Sequence, residues 1–98
     1  MRQAIPSRIR LRDSVRAKLG TERGFLFEER TGRVYSLNGT AAFAAARLQE
    51  HGRLDDTLRA LTQAFETDDS TARRDLETFV AQLIAEGLAE PTEDAPRG

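Results

Sequence analysis

The chain contains no cysteine and no tryptophan, and its only histidine is His51. Without cysteine there are no disulfides and no thiolate metal sites. One imidazole leaves any metal to a carboxylate cage. The pairs Asp55-Asp56 and Asp68-Asp69 lack the ligand spacing of a calcium loop. No apolar run approaches the roughly 20 residues of a membrane helix, and the opening residues lack a signal-peptide core. These absences predict a cytoplasmic protein that needs neither metal nor cofactor.

What is present is a composition that folds: 39% hydrophobic and 32% charged residues exclude a disordered chain. A length of 98 residues suits one domain and leaves no room for a deep catalytic cleft with its own scaffold. The net charge of −1 is unevenly spread. Arg2, Arg8, Arg10, Arg12, Arg16 and Lys18 crowd the start, while Glu86, Glu90, Glu93 and Asp94 gather near the end. A near-neutral total argues against nucleic-acid binding by bulk electrostatics.

Residues 1–13 form a basic arm. Arg8-Ile9-Arg10-Leu11-Arg12 alternates charge and apolarity, which suits either an edge strand or a flexible lead-in. Residues 15–19 alternate again, with Val15, Ala17 and Leu19 on one face. Phe25-Leu26-Phe27 and Arg33-Val34-Tyr35-Ser36-Leu37 add two more strands, with turns at 20–24 and 29–32. The first half therefore predicts a three-stranded antiparallel meander.

Asn38 is the expected N-cap of a helix over 39–50 that stops near Gly52, with Ala41, Ala44, Ala45 and Leu48 as its stripe. A second helix over 54–65 carries Leu54, Leu58, Leu61 and Phe65, and Asp55 and Asp56 suit its first turn. A third, over 71–86, buries Leu76, Phe79, Val80, Leu83 and Ile84 and ends at Gly87. Residues 90–98 are an expected flexible tail, leaving 14–89 as the domain. The fold class is thus α+β, a three-stranded antiparallel sheet followed by three helices.

Catalytic machinery is not found. There is no thiol nucleophile and no Gly-rich phosphate loop, and His51 at a helix end suits the helix dipole better than general-base work. No catalytic residue is assigned, and the chain is read as not an enzyme. Arg73-Arg74 is either a solvated helix face or a basic lip beside a groove for an acidic segment. Phe43 lies off the stripe of its helix; it either packs against a neighbouring element or makes an exposed aromatic contact.

The run Glu29-Arg30-Thr31-Gly32-Arg33-Val34-Tyr35-Ser36-Leu37-Asn38-Gly39-Thr40-Ala41 resembles the T-G-x-x-Y-x-L-N-x-T-A stretch of PqqD-like proteins, the RiPP recognition elements. Asp75-Leu76-x-x-Phe79-Val80-x-x-Leu83-x-x-x-Gly87-Leu88 is similar to the family's ending, and Phe65 falls where the family places an aromatic. The resemblance spans residues 15–88. It implies a winged-helix-like fold that binds the leader segment of a ribosomally made precursor peptide, without activity of its own. The peptide would add as a strand along the third strand, against the third helix. A separate modifying enzyme would receive it, such as a radical SAM protein, a cyclase or a leader peptidase.

Carried over residue by residue, the resemblance places peptide contacts at Arg33, Val34, Tyr35, Ser36 and Leu37, with Arg73, Arg74, Glu77 and Val80 as groove wall. Two features depart from the family. Ala44 and Ala45 stand where bulky residues are usual, and the arm is richer in arginine. The rival reading is a DNA-binding winged helix. Against it, the third helix mixes Arg73 and Arg74 with Asp75, Glu77 and Glu86. A structural or dimerisation subunit using Phe43 and the arm is the other alternative.

Overall fold

The computed structural model describes residues 6–92. In chain order the elements are β1 (Ile9–Leu11), β2 (Val15–Leu19), β3 (Arg23–Glu28), β4 (Arg33–Asn38), α1 (Gly39–His51), α2 (Leu54–Phe65), α3 (Asp69–Ala85) and β5 (Ala89–Pro91). β2, β3 and β4 form an antiparallel sheet in that order, and β1 pairs with β5 in a second, two-stranded one. This is the expected α+β, winged-helix-like arrangement, with the meander ahead of three helices.

The meander follows from period-2 burial. On β3, Gly24, Leu26 and Glu28 point inward while Arg23, Phe25 and Phe27 point out. The inner face meets α1, whose buried residues are Ala42, Ala44, Ala45 and Leu48. Small residues here set the spacing: a Cβ on Gly24 would lie 3.1 Å from the Ala42 Cβ and 2.9 Å from Leu19. Helix and sheet approach closely because neither side carries bulk. The expected Ala41 is only half-buried, and Ala42 takes its place on the buried face.

Asn38 caps α1 as expected, its side-chain oxygen accepting the Ala41 N–H at 2.8 Å. His51 closes the same helix, its Nδ1 accepting the Arg53 N–H at 3.0 Å. α2 buries Leu54, Leu58 and Leu61, but Phe65 stands 40% exposed at its end. Phe43 meets that ring edge to face, with centroids 5.3 Å apart, and the Arg47 guanidinium lies 5.4 Å from the Phe43 centroid. Of the two readings of Phe43, packing against a neighbouring helix is therefore the one realised.

The arm was open between strand and lead-in, and Ile9–Leu11 is a strand. It pairs Ile9 with Pro91, Arg10 with Glu90 and Leu11 with Ala89, so two residues of the expected tail belong to the folded body. Residues 1–5 of the arm and 93–98 of the tail lie outside the described residues. Ile9 is only 1% exposed, and its N–H donates to the Gly52 carbonyl at 2.9 Å. Full burial of such a side chain contributes about 1.5–3 kcal/mol. The exposed Arg10–Glu90 pair, at 2.8 Å, adds at most about 1 kcal/mol. Apolar burial and backbone pairing thus hold the clasp, with the charges secondary.

Gly52 is the joint beneath this clasp. It takes a left-handed φ of 73°, and a Cβ there would collide with the Ile9 carbonyl oxygen. Gly52→Ala is expected to destabilise the fold by about 1–3 kcal/mol. A lowered urea midpoint, with β1 amide protection reduced before that of α1, is the result to look for.

Candidate functional site

β4 is built from a turn and a cap. At the turn, the Glu28 carboxylate is 3% exposed and accepts the Arg30 backbone N–H at 2.8 Å and the Ser14 hydroxyl at 3.0 Å. The Arg30 guanidinium lies 3.5 Å away. The Arg30 N–H is the largest cause holding this carboxyl below its ordinary value; burial opposes it, and the Ser14 and Arg30 side chains add to it. A buried carboxylate at the end of β3 therefore ties the residue before β2 to the turn that leads into β4. At the far end Asn38 stops the strand by capping α1.

Between those two anchors β4 pairs with β3 along Arg33 to Asn38, and with no other described strand. Its second edge is open. Alternate N–H and C=O groups along that edge lack a strand partner, a template for an added strand. Val34 is 61% exposed on the outer sheet face, whereas Leu37 is buried in the core.

The open edge runs beside α3. A cleft of about 130 Å³ separates them, with Tyr35, Ser36 and Leu37 on one side and Phe79, Gln82, Leu83 and Glu86 on the other. Phe79 and Gln82 also line a larger cavity of about 470 Å³, which continues past Asn38 to Ala41 and Ala44 and on to Arg74, Asp75 and Thr78. The two cavities share Phe79 and Gln82 and together border β4 from Tyr35 to Asn38. Ala44 explains the room at the wide end of this cleft, and Phe43 does not fill it, being turned toward Phe65. At the narrow end Glu86 crosses from α3 to β4, 3.8 Å from Arg33 and 3.5 Å from the Tyr35 hydroxyl. Tyr35, then Glu86, raise the Arg33 guanidinium above its ordinary value, so it stays charged.

Arg33, Val34, Tyr35, Ser36 and Leu37 all stand on the open strand, as expected. The expected α3 wall needs correction. Val80 is fully buried at 0% exposure and offers nothing to a ligand. Arg74 borders the cleft, but Arg73 and Glu77 are not among its lining residues. The cleft instead sees Asp75, Phe79, Gln82 and Glu86, a stripe at i, i+4, i+7 and i+11. Arg73 and Glu77 lie on the opposite flank of the buried stripe formed by Ala72, Leu76 and Leu83. Both flanks carry polar residues beside an apolar face, so periodicity alone does not choose between them. Among the described residues no group of three or more His, Cys, Asp or Glu can hold a metal, and no helix is long and apolar enough to cross a membrane.

Fold and edge together define a class: a winged-helix-like module in which the free β4 margin of the sheet lies beside the last long helix. Residues 23–89 match the family model described as coenzyme PQQ synthesis protein D (PqqD), and the chain belongs to that family. A search of the curated proteins gives no match. Among solved structures, one described as lasso peptide synthetase B1 complexed with the leader peptide superposes with a TM-score of 0.75. It is 30% identical, over 86% of this chain and 99% of that one. TbiB1 in complex with the TbiA(beta) leader peptide superposes with a TM-score of 0.78 at 24% identity, over 87% of this chain and 99% of that one, a likeness of fold.

Glu28 gives this site a pH signature. Because its folded pKa is depressed, its stabilisation is full above the unfolded value of about 4.3 and is lost as pH falls through the lower folded value. Glu28→Gln is expected to lower stability at neutral pH and to flatten the acid limb. Urea unfolding of wild type and variant between pH 3 and pH 7 checks this; parallel profiles would contradict it.

Proposed function

We propose that this chain binds the leader segment of a ribosomally synthesised precursor peptide as an added strand on β4, and presents it to a separate enzyme. The observation that carries the proposal is the open β4 margin, whose second half, Tyr35 to Asn38, borders a cleft walled by α3. Family membership and two solved relatives described with leader peptides support it. Backbone pairing along Arg33, Val34, Tyr35, Ser36 and Leu37 supplies affinity with little demand on sequence. Selectivity comes from alternate peptide side chains entering the cleft, where Phe79 offers apolar surface and Arg74, Asp75, Gln82 and Glu86 offer polar contacts.

The chain acts by binding and positioning, and its receiving enzyme is a radical SAM protein, a cyclase or a leader peptidase. A cytoplasmic location accords with the missing cysteines. DNA binding is the weaker reading. Arg73 and Arg74 share the start of α3 with Asp69, Asp75 and Glu77, so phosphates would meet both signs of charge. A salt-dependent complex with duplex DNA, tighter than that with peptide, would reverse this preference.

The test is calorimetric titration with synthetic leader segments of candidate precursor peptides. Val34→Pro removes an N–H and bends the margin, and is expected to weaken capture by at least about tenfold with the helical circular dichroism retained. Undiminished affinity in a folded variant would overturn strand addition. The two arginines give a finer check with an acidic leader. Arg74→Glu is expected to weaken it by about three- to tenfold, while Arg73→Glu changes it by less than about twofold. Equal losses would contradict the assignment of Arg74, and not Arg73, to the cleft.

A further inference from the structure

The outer face of the β2-β3-β4 sheet carries a second recognition surface. Phe25 and Phe27 are 37% and 40% exposed there, and Val34, 61% exposed, is the direct cross-strand partner of Phe27. Three of the four exposed large hydrophobics of the described chain thus meet on one flat face. Basic residues border them on one side. Lys18 sits opposite Phe25, Arg16 opposite Phe27, and Arg23 on the same outward positions of β3. Arg16 is satisfied by Glu29 at 2.7 Å, whereas no carboxylate among the described residues pairs with Lys18 or Arg23.

We propose that this face docks a folded protein partner whose apolar patch is edged by carboxylates, and that the partner is the enzyme that acts on the captured peptide. The charge pattern selects this occupant over a second copy. The outward strand positions, Arg16, Lys18, Arg23, Phe25, Phe27, Val34 and Ser36, include no carboxylate to meet those cations. It also selects against a membrane. Two unpaired cations supply only about 1 kcal/mol each at an anionic surface, too little for stable anchoring.

The proposal rests on the peptide-binding reading in one respect. A strand added to β4 lies about 4.8 Å beyond it, so its outward side chains extend the same face past Val34. The partner then touches sheet and guest together. By linkage, peptide and partner each tighten the other's binding by the same factor.

The experiment compares wild type with two variants, Phe25→Ser plus Phe27→Ser and Lys18→Glu plus Arg23→Glu. Each is titrated with the leader segment that wild type binds and, separately, with purified candidate modifying enzymes: a radical SAM protein, a cyclase or a leader peptidase. We expect the peptide affinity of both variants to stay within about twofold of wild type. We expect enzyme affinity to fall at least about tenfold, which corresponds to about 1.4 kcal/mol, and wild-type enzyme affinity to rise when peptide is present. The charge variant guards against misfolding of the aromatic one, since both of its residues are exposed. Unchanged enzyme affinity in the folded variants overturns the proposal. So does a wild-type dimer that the aromatic variant dissolves, or binding to anionic vesicles that both variants lose. Absence of peptide binding by wild type, with enzyme binding intact, would instead overturn the peptide reading and leave this face standing.

Discussion

β4 is hydrogen-bonded to a described strand on one side only, and among the edge strands of the β2-β3-β4 sheet it is the one whose free side faces the α3 cleft. β4 holds its register through β3 and its ends through two polar anchors, the buried Glu28 carboxylate at the turn and the Asn38 cap at α1. A margin fixed at both ends is ordered in advance of the guest strand that the proposed function adds to it. Little ordering cost then falls on the protein when the guest binds.

The helices serve the margin by distance. α1 approaches the sheet closely because Gly24 and Ala42 face each other, and this draws the inner face into a thin core. α3 then lies beside β4 with Phe79 and Gln82 reaching toward the strand. Ala44 leaves the wide end of the cleft hollow. The small residues of α1 therefore shape the cleft as well as the core. β1 and β5 close the opposite end of the chain, where burial of Ile9 against Gly52 draws both ends of the described chain onto the helices.

Much of this was legible in residue order. Alternation marked β2, β propensity between turns marked β3 and β4, and the Asn38 cap and the leucines of α2 marked two helices at close to their observed limits. The β4 half of the site was legible for the same reason: a strand after a Gly turn, ending at a capping residue, is a local pattern. The α3 half was not. Leu76 and Leu83 announce the buried stripe, yet Arg73 and Glu77 flank it on one side and Asp75 and Gln82 on the other, with equal local standing.

The sequence by itself determined the segments of β2, β3, β4 and the three helices and most of the residues those elements bury. These are short-range matters, settled by period, capping and composition. Only the tertiary structure decided which flank of α3 meets β4, that the arm pairs with the residues after α3, and that Phe25, Phe27 and Val34 share one exposed face. Those outcomes depend on contacts between residues far apart in the chain, and local periodicity carries no record of how two amphipathic elements are turned toward each other.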